Sequence, residues 1–274
     1  MSGEPLLAAR LSASYGGGPP VLRHAEFEIA EGEILGLAGE SGTGKSTIAL
    51  ALLGLHGFRR ASISGYVRFQ GRDLLGLPES QLRTMRGRRI SFVPQSPISS
   101  LNPVLTIGAH LREAWRAHAG RRDGGWRARA LALLESVSLP PEERFLGLYP
   151  RELSVGLAQR VLIAMAMIHS PALIVADEPT SALDVVTQAE ILELFRRVNR
   201  ETGAALLYIS HDLAAMASVA HRIAILRQGG IVESGPPQRL LLSPRHPYTA
   251  RLVAAIPRLE FSEPGGQQPC LRVG

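Results

Sequence analysis

Of the 30 basic residues in this 274-residue chain, one is a lysine, Lys45, and the other 29 are arginines. That lysine stands in Gly39-Glu40-Ser41-Gly42-Thr43-Gly44-Lys45-Ser46-Thr47, which fits the spacing G-x-x-x-x-G-K-[ST]. The chemistry of such a spacing is phosphate capture. Successive backbone N–H groups at the mouth of a helix point at the anion, and glycines let the backbone come close. A lysine ammonium is a compact, rotatable charge, whereas arginine carries a wide planar fork, so the two are not equivalent beneath a phosphate. Lys45 is placed to neutralise the outer phosphates, and the Ser46 hydroxyl to ligate Mg²⁺.

Phosphate hydrolysis also needs acids on a second strand. Leu173-Ile174-Val175-Ala176-Asp177-Glu178 offers four apolar residues and then two acids, which sets both at the carboxyl end of a buried strand, where ligands gather in open α/β sheets. There Asp177 is expected to support the metal, directly or through water, and Glu178 to polarise an attacking water as general base. Four further groups recur around this pair. Gln95 ends the strand-like run Ile90 to Pro94, and Ser154 stands as a helix N-cap in Leu153-Ser154-Val155-Gly156-Leu157-Ala158-Gln159-Arg160. Ser181-Ala182-Leu183-Asp184 follows the acids directly, and His211 closes Leu207-Tyr208-Ile209-Ser210-His211-Asp212.

Positioning these groups takes an alternation of strands and helices. Arg23 to Ala30 has Ala25, Phe27 and Ile29 on one side of a half-buried strand. Glu33 to Ala38 reads as a buried strand feeding the glycine loop, and Lys45 to Leu55 as the buried helix that opens from it. Gly65 to Gln70 and Arg89 to Pro94 read as further strands, so everything before about residue 95 is expected as strands and turns around one helix. Helical patterns then take over at Ile107 to Ala119 and Trp126 to Val137, parted by the polar Gly120-Arg121-Arg122-Asp123-Gly124-Gly125, and again at Val155 to His169. Ala172 to Ala176, Ala204 to Ser210 and Arg222 to Leu226 return as buried strands, with an amphipathic helix from Val185 to Thr202 capped by Gly203. This order implies a largely parallel sheet covered on both faces. The expected division is a strand-rich core at about 1–95 and 170–240, a helical insert at about 96–169, and a loose tail at 258–274.

Composition narrows the classes. The net charge of +6 and pI near 10.2 invite a nucleic-acid reading. The arginines are scattered apart from Arg86-Gly87-Arg88-Arg89 and the region from Arg121 to Arg129, with no aromatic platform or basic recognition helix, so direct nucleic-acid binding is not expected. No apolar stretch approaches the ~18 residues of a membrane span. The first residues, Met-Ser-Gly-Glu-Pro, carry no export pattern. A single cysteine, Cys270, excludes an internal disulfide framework and fits a reducing compartment.

The motifs above, in this order, resemble the nucleotide-binding subunit of ATP-binding-cassette (ABC) transporters over about residues 6–257. The resemblance implies an α/β P-loop NTPase fold: a RecA-like core with an antiparallel β subdomain, plus a helical ABC subdomain, using ATP and Mg²⁺. It implies that Tyr15 stacks on adenine, that Gly39, Glu40, Ser41, Gly42, Thr43, Gly44, Lys45, Ser46 and Thr47 hold the phosphates, and that Ser46, Gln95 and Asp177 serve the metal. Lys45, Glu178 and His211 carry catalysis, with His211 holding the γ-phosphate and attacking water. Ser154, Val155 and Gly156 form the signature that faces a partner's ATP, and Ser181 and Asp184 lie in a loop that crosses the dimer. The implied partners are a second ABC ATPase subunit (identical or different), two integral membrane permease subunits and, through them, an extracytoplasmic solute-binding protein. The implied location is peripheral, on the cytoplasmic face of the inner membrane.

These motifs are shared by importers, exporters and soluble family members. Two stretches are similar to the ATPases of dipeptide, oligopeptide and nickel importers: Ser99-Ser100-Leu101-Asn102-Pro103-Val104-Leu105-Thr106-Ile107-Gly108, and His246-Pro247-Tyr248-Thr249-Ala250 followed by Leu252 to Pro257. Many of those proteins carry a cysteine-rich extension; here one cysteine follows, so a cluster held by one chain is not expected. The family's signature usually reads Leu-Ser-Gly-Gly, and Val155 stands at the first of those glycines. A left-handed backbone there would strain a β-branched residue; a helical one would leave only crowding of the partner's phosphate.

Overall fold

The computed structural model describes residues 4–55, 61–119 and 124–256; residues 120–123 of the polar segment, Pro257, the 258–274 tail and Cys270 lie outside the described residues. The chain begins with β1 (Leu7–Tyr15) and β2 (Pro20–Ile29), an antiparallel pair, then β3 (Ile34–Ala38) and α1 (Lys45–Leu52). β4 (Ala61–Phe69), β5 (Arg72–Asp73), α2 (Glu79–Met85) and β6 (Ile90–Val93) follow. Next comes a helical block of α3 (Pro97–Ser100), α4 (Ile107–Ala119), α5 (Trp126–Ser136), α6 (Glu143–Leu146) and α7 (Val155–Ala166). The alternating part resumes with β7 (Leu173–Asp177), α8 (Val185–Thr202), β8 (Ala205–Ser210), α9 (Leu213–Val219), β9 (Arg222–Arg227) and β10 (Gly230–Gly235). Two short helices, α10 (Pro237–Leu242) and α11 (Pro247–Ala254), end the described chain.

Two sheets result. One is antiparallel in the order β2-β1-β4-β5; the other runs β10-β9-β3-β8-β7-β6, and its inner pairs are all parallel. Parallel strands need covered faces, and their alternation decides which face each residue enters. Leu35, Leu37, Val175, Leu207 and Ile209 join α1 and the antiparallel sheet in one core. Ile34, Ile174, Ala176, Leu206 and Tyr208 join α4 to α8 in the other. The helical block is therefore a crossover between the neighbouring strands β6 and β7 that shares its core with the sheet. The β9–β10 hairpin locks the sheets together. Its turn residues Gln228 and Gly229 have φ of 49° and 83°, the left-handed pair that a tight hairpin needs, and the Gly229 carbonyl accepts Arg23 N–H at 2.7 Å.

Several boundaries differ from the sequence reading. α1 stops at Leu52 and a turn through Gly54 (φ 62°) follows, short of the expected Leu55. α7 ends at Ala166 rather than His169, ahead of the left-handed Ser170 (φ 51°) and Pro171. The expectation of one helix before residue 95 fails at α2, whose single buried residue, Leu82, leaves no amphipathic stripe to read. β10 is also unanticipated: glycines bound it, and a bulge between Ile231 and Glu233 breaks its alternation.

Candidate nucleotide-binding site

β3 lies at the centre of the larger sheet, between β9 and β8, and the loop from Gly39 to Gly44 leaves its carboxyl end for α1. Close packing dictates the glycines. A Cβ on Gly39 would lie 2.5 Å from the Leu226 carbonyl oxygen, and one on Gly44, whose φ is 105°, would lie 2.5 Å from Leu22 Cδ2. Lys45 opens the helix with 6% exposure, and its Nζ donates to the carbonyls of Gly39 (2.7 Å) and Glu40 (3.0 Å). Burial lowers the Lys45 pKa, while the negative fields of Glu178 and Asp177 act to raise it again. The field of Asp177 therefore reaches Lys45 from the end of β7.

A cleft of about 730 Å³ opens above the loop, lined by Tyr15, Val21, Ser41, Gly42, Gly44, Lys45, Ser46, Thr47, Gln95 and Glu178. The Tyr15 hydroxyl hydrogen-bonds Thr47 Oγ1 at 2.8 Å, which ties the end of β1 to the loop helix. Opposite stands Glu178. Its φ of 46° is left-handed, a strained backbone for a residue with a side chain, and its N–H is held by the Ile209 carbonyl at 2.9 Å. Its Oε2 accepts from Gln95 Nε2 at 3.3 Å and lies 3.2 Å from His211 Nδ1. Gln95 also reaches Ser181 Oγ at 3.5 Å. Gln95, Glu178, Ser181 and His211, spread over the three loops that follow β6, β7 and β8, thus form one connected set.

The signature residues form a second cluster, outside the cleft lining. Ser154 caps α7 by accepting Leu157 N–H at 3.3 Å. Val155 is the first helical residue and has no left-handed φ, so the strained alternative is removed. Gly156 abuts α8: a Cβ there would meet Thr187 Cγ2 at 2.6 Å. Asp184 caps α8 by accepting Thr187 N–H (3.0 Å) and its hydroxyl (2.7 Å), and these bonds hold its carboxyl below the usual range. Thr187 therefore joins the signature to the Asp184 loop. Gln188, one turn after Asp184, donates to Asp212 Oδ2 at 2.9 Å, and Asp212 caps α9 directly after His211. Val21, Thr187, Gln188 and Asp212 escape sequence reasoning, although the capping spacing Asp184-x-x-Thr187 is a visible signal.

Among the described residues, no group of three or more His, Cys, Asp or Glu side chains is placed to hold a metal ion. The available donors are the Ser46 hydroxyl, the Gln95 amide and Asp177, all hard oxygen ligands. A set with one carboxylate suits Mg²⁺ carried in by nucleotide phosphates rather than caged by protein.

The fold and this cleft are those of a P-loop nucleoside triphosphatase. More narrowly, the chain belongs to the ABC transporter family, whose description matches residues 22–181. A Brucella abortus ATP-binding protein is 44% identical over 93% of this chain and 78% of its own length. The dipeptide transport ATP-binding protein DppD of Escherichia coli is 40% identical over 86% of this chain and 72% of that protein. A dimeric ATP-binding cassette solved in a post-hydrolysis state with ADP and Pi superposes with a TM-score of 0.72 at 29% identity, covering 84% of this chain and 98% of the other. Among the described residues, no helix is long and apolar enough to cross a membrane.

Proposed function

We propose that this chain is the ATP-hydrolysing subunit of an importer of di- or oligopeptides. The observation that carries the hydrolytic half is the convergence of Gln95, Glu178 and His211 opposite the Lys45 loop. The peptide half is supported by the names of the dipeptide and oligopeptide transport relatives, the latter OppD of Bacillus subtilis, 39% identical over 91% of this chain and 70% of its own length.

In this reading the loop N–H groups and Lys45 receive the β- and γ-phosphates, Tyr15 carries the adenine, and Thr47 steadies the Tyr15 hydroxyl. Ser46, Gln95 and Asp177 would hold Mg²⁺, which would offset charge on the phosphates. Glu178 takes a proton from the attacking water, and His211, in contact with that carboxylate, orients it toward the γ-phosphate. Ser154 and the α7 N-terminus address the γ-phosphate bound to a second ATPase subunit, with Ser181 and Asp184 at the crossing. ATP closes such a dimer and hydrolysis opens it, a motion passed to two permease subunits fed by an extracytoplasmic binding protein. The chain then works at the cytoplasmic face of the membrane without crossing it.

Reconstitution with its permease pair tests the whole reading. Peptide-loaded binding protein should stimulate ATP turnover; stimulation by nickel and not by peptide would move the solute assignment. Tyr15→Ala should raise the KM for ATP more than it lowers kcat, because adenine contact is the same in ground and transition states. A large kcat loss at unchanged KM would refute stacking. With strain at Val155 removed, crowding is the remaining effect of its side chain, so Val155→Gly should raise turnover of the assembled transporter. An unchanged rate would show that valine is neutral there.

A further inference from the structure

The His246-Pro247-Tyr248-Thr249 stretch is left unused by the hydrolytic mechanism, yet it reaches the phosphate loop. His246 caps α11 by accepting Tyr248 N–H at 3.1 Å, and Pro247 fills the first helical position, where no N–H is needed. That start turns Tyr248 inward until it is 2% exposed, and its hydroxyl accepts the Glu40 backbone N–H at 3.2 Å. Arg227, from the end of β9, lies over its ring at 4.7 Å.

The other end of the segment is anchored. At the β10 bulge Glu233 turns inward and accepts the N–H groups of Arg245 and His246, both at 3.0 Å, and Arg239 Nη1 at 2.8 Å. Burial opposes this charge, but the bonds prevail and hold the Glu233 carboxyl at about 2. β9 itself abuts the loop, with its Leu226 carbonyl against Gly39. Gly39 and Glu40, the two residues whose carbonyls hold Lys45 Nζ, are thus each braced from the C-terminal side.

We propose that Tyr248 is a positioning residue for the nucleotide phosphates: its bond to Glu40 fixes the first turn of the loop, and α11 thereby sets the affinity for ATP. The inference rests on the nucleotide-site reading above. The bond fixes a backbone N–H that would otherwise let residues 39–41 pivot, and it does so without touching the phosphates or the reacting water. Loss of the hydroxyl should therefore weaken binding and spare chemistry.

Tyr248→Phe keeps the ring and its packing and removes only the hydroxyl. In the full-length chain, titration with ATP and Mg²⁺ should give a Kd about fivefold above wild type, with KM rising in parallel and kcat held within twofold. Equal Kd values, or a fall in kcat at unchanged KM, would overturn the proposal. If wild type itself bound no ATP, the nucleotide-site reading would fail first, a distinct result. Independently of any variant, the wild-type Glu40 amide should exchange with solvent at least several-fold more slowly than that of Ser41. Equal exchange would show that the bond does not hold the loop, and would sink the proposal even if Tyr248→Phe failed to fold.

Discussion

Glu178→Gln should keep ATP binding within a few-fold of wild type while lowering turnover by about 10²–10⁴, the span that a positioned general base supplies. Glutamine is nearly isosteric, so its carbonyl oxygen can still accept from Gln95, which now approaches Oε2 at 3.3 Å, and can stay beside His211. Lost is the basic oxygen that removes the proton. Binding should not weaken, because Glu178 bears negative charge on a wall of the same cleft as the phosphate loop. Its removal relieves repulsion toward the triphosphate. Bound ATP that is not cleaved should hold two subunits together, so the variant should elute as a dimer with ATP and as a monomer with ADP. Rapid turnover would refute the general-base assignment. A variant that failed to bind ATP would show that the left-handed backbone at 178 tolerates only the native contacts.

Chemistry clustered in short contiguous runs is legible in the sequence. The glycine loop, the β7 acids and the α7 cap at Ser154 each occupy one stretch, where spacing alone sets geometry. Contacts between distant stretches are not. Gln188 meeting Asp212, Thr187 packing on Gly156 and Tyr248 reaching Glu40 depend on how α8, α7 and α11 lie against the sheet, and no local period encodes that. Val155 shows the same divide. Its identity marks a departure, but its backbone state follows from its place as the first residue of α7. The short α2 and the bulged β10 were invisible for a third reason, since elements with so few buried positions carry too little pattern.

Lys45→Arg should abolish most hydrolysis, by at least ~10²-fold, the scale of removing a preorganised charge from a transition state. The change keeps the charge, so the loss must come from shape. Lys45 Nζ sits between the Gly39 and Glu40 carbonyls at 2.7 and 3.0 Å, in a site with 6% exposure. An ammonium can rotate its three donors from those carbonyls to a phosphate. A guanidinium is planar and broader, and its donors keep a fixed fork. To fit, it would have to push the loop away from the Leu226 carbonyl or stand out into the cleft where the γ-phosphate belongs. With 29 arginines elsewhere in the chain, one more should leave the thermal midpoint nearly unchanged, which separates misplaced charge from misfolding. Turnover within tenfold of wild type would mean that charge alone, not its compactness, is what position 45 requires.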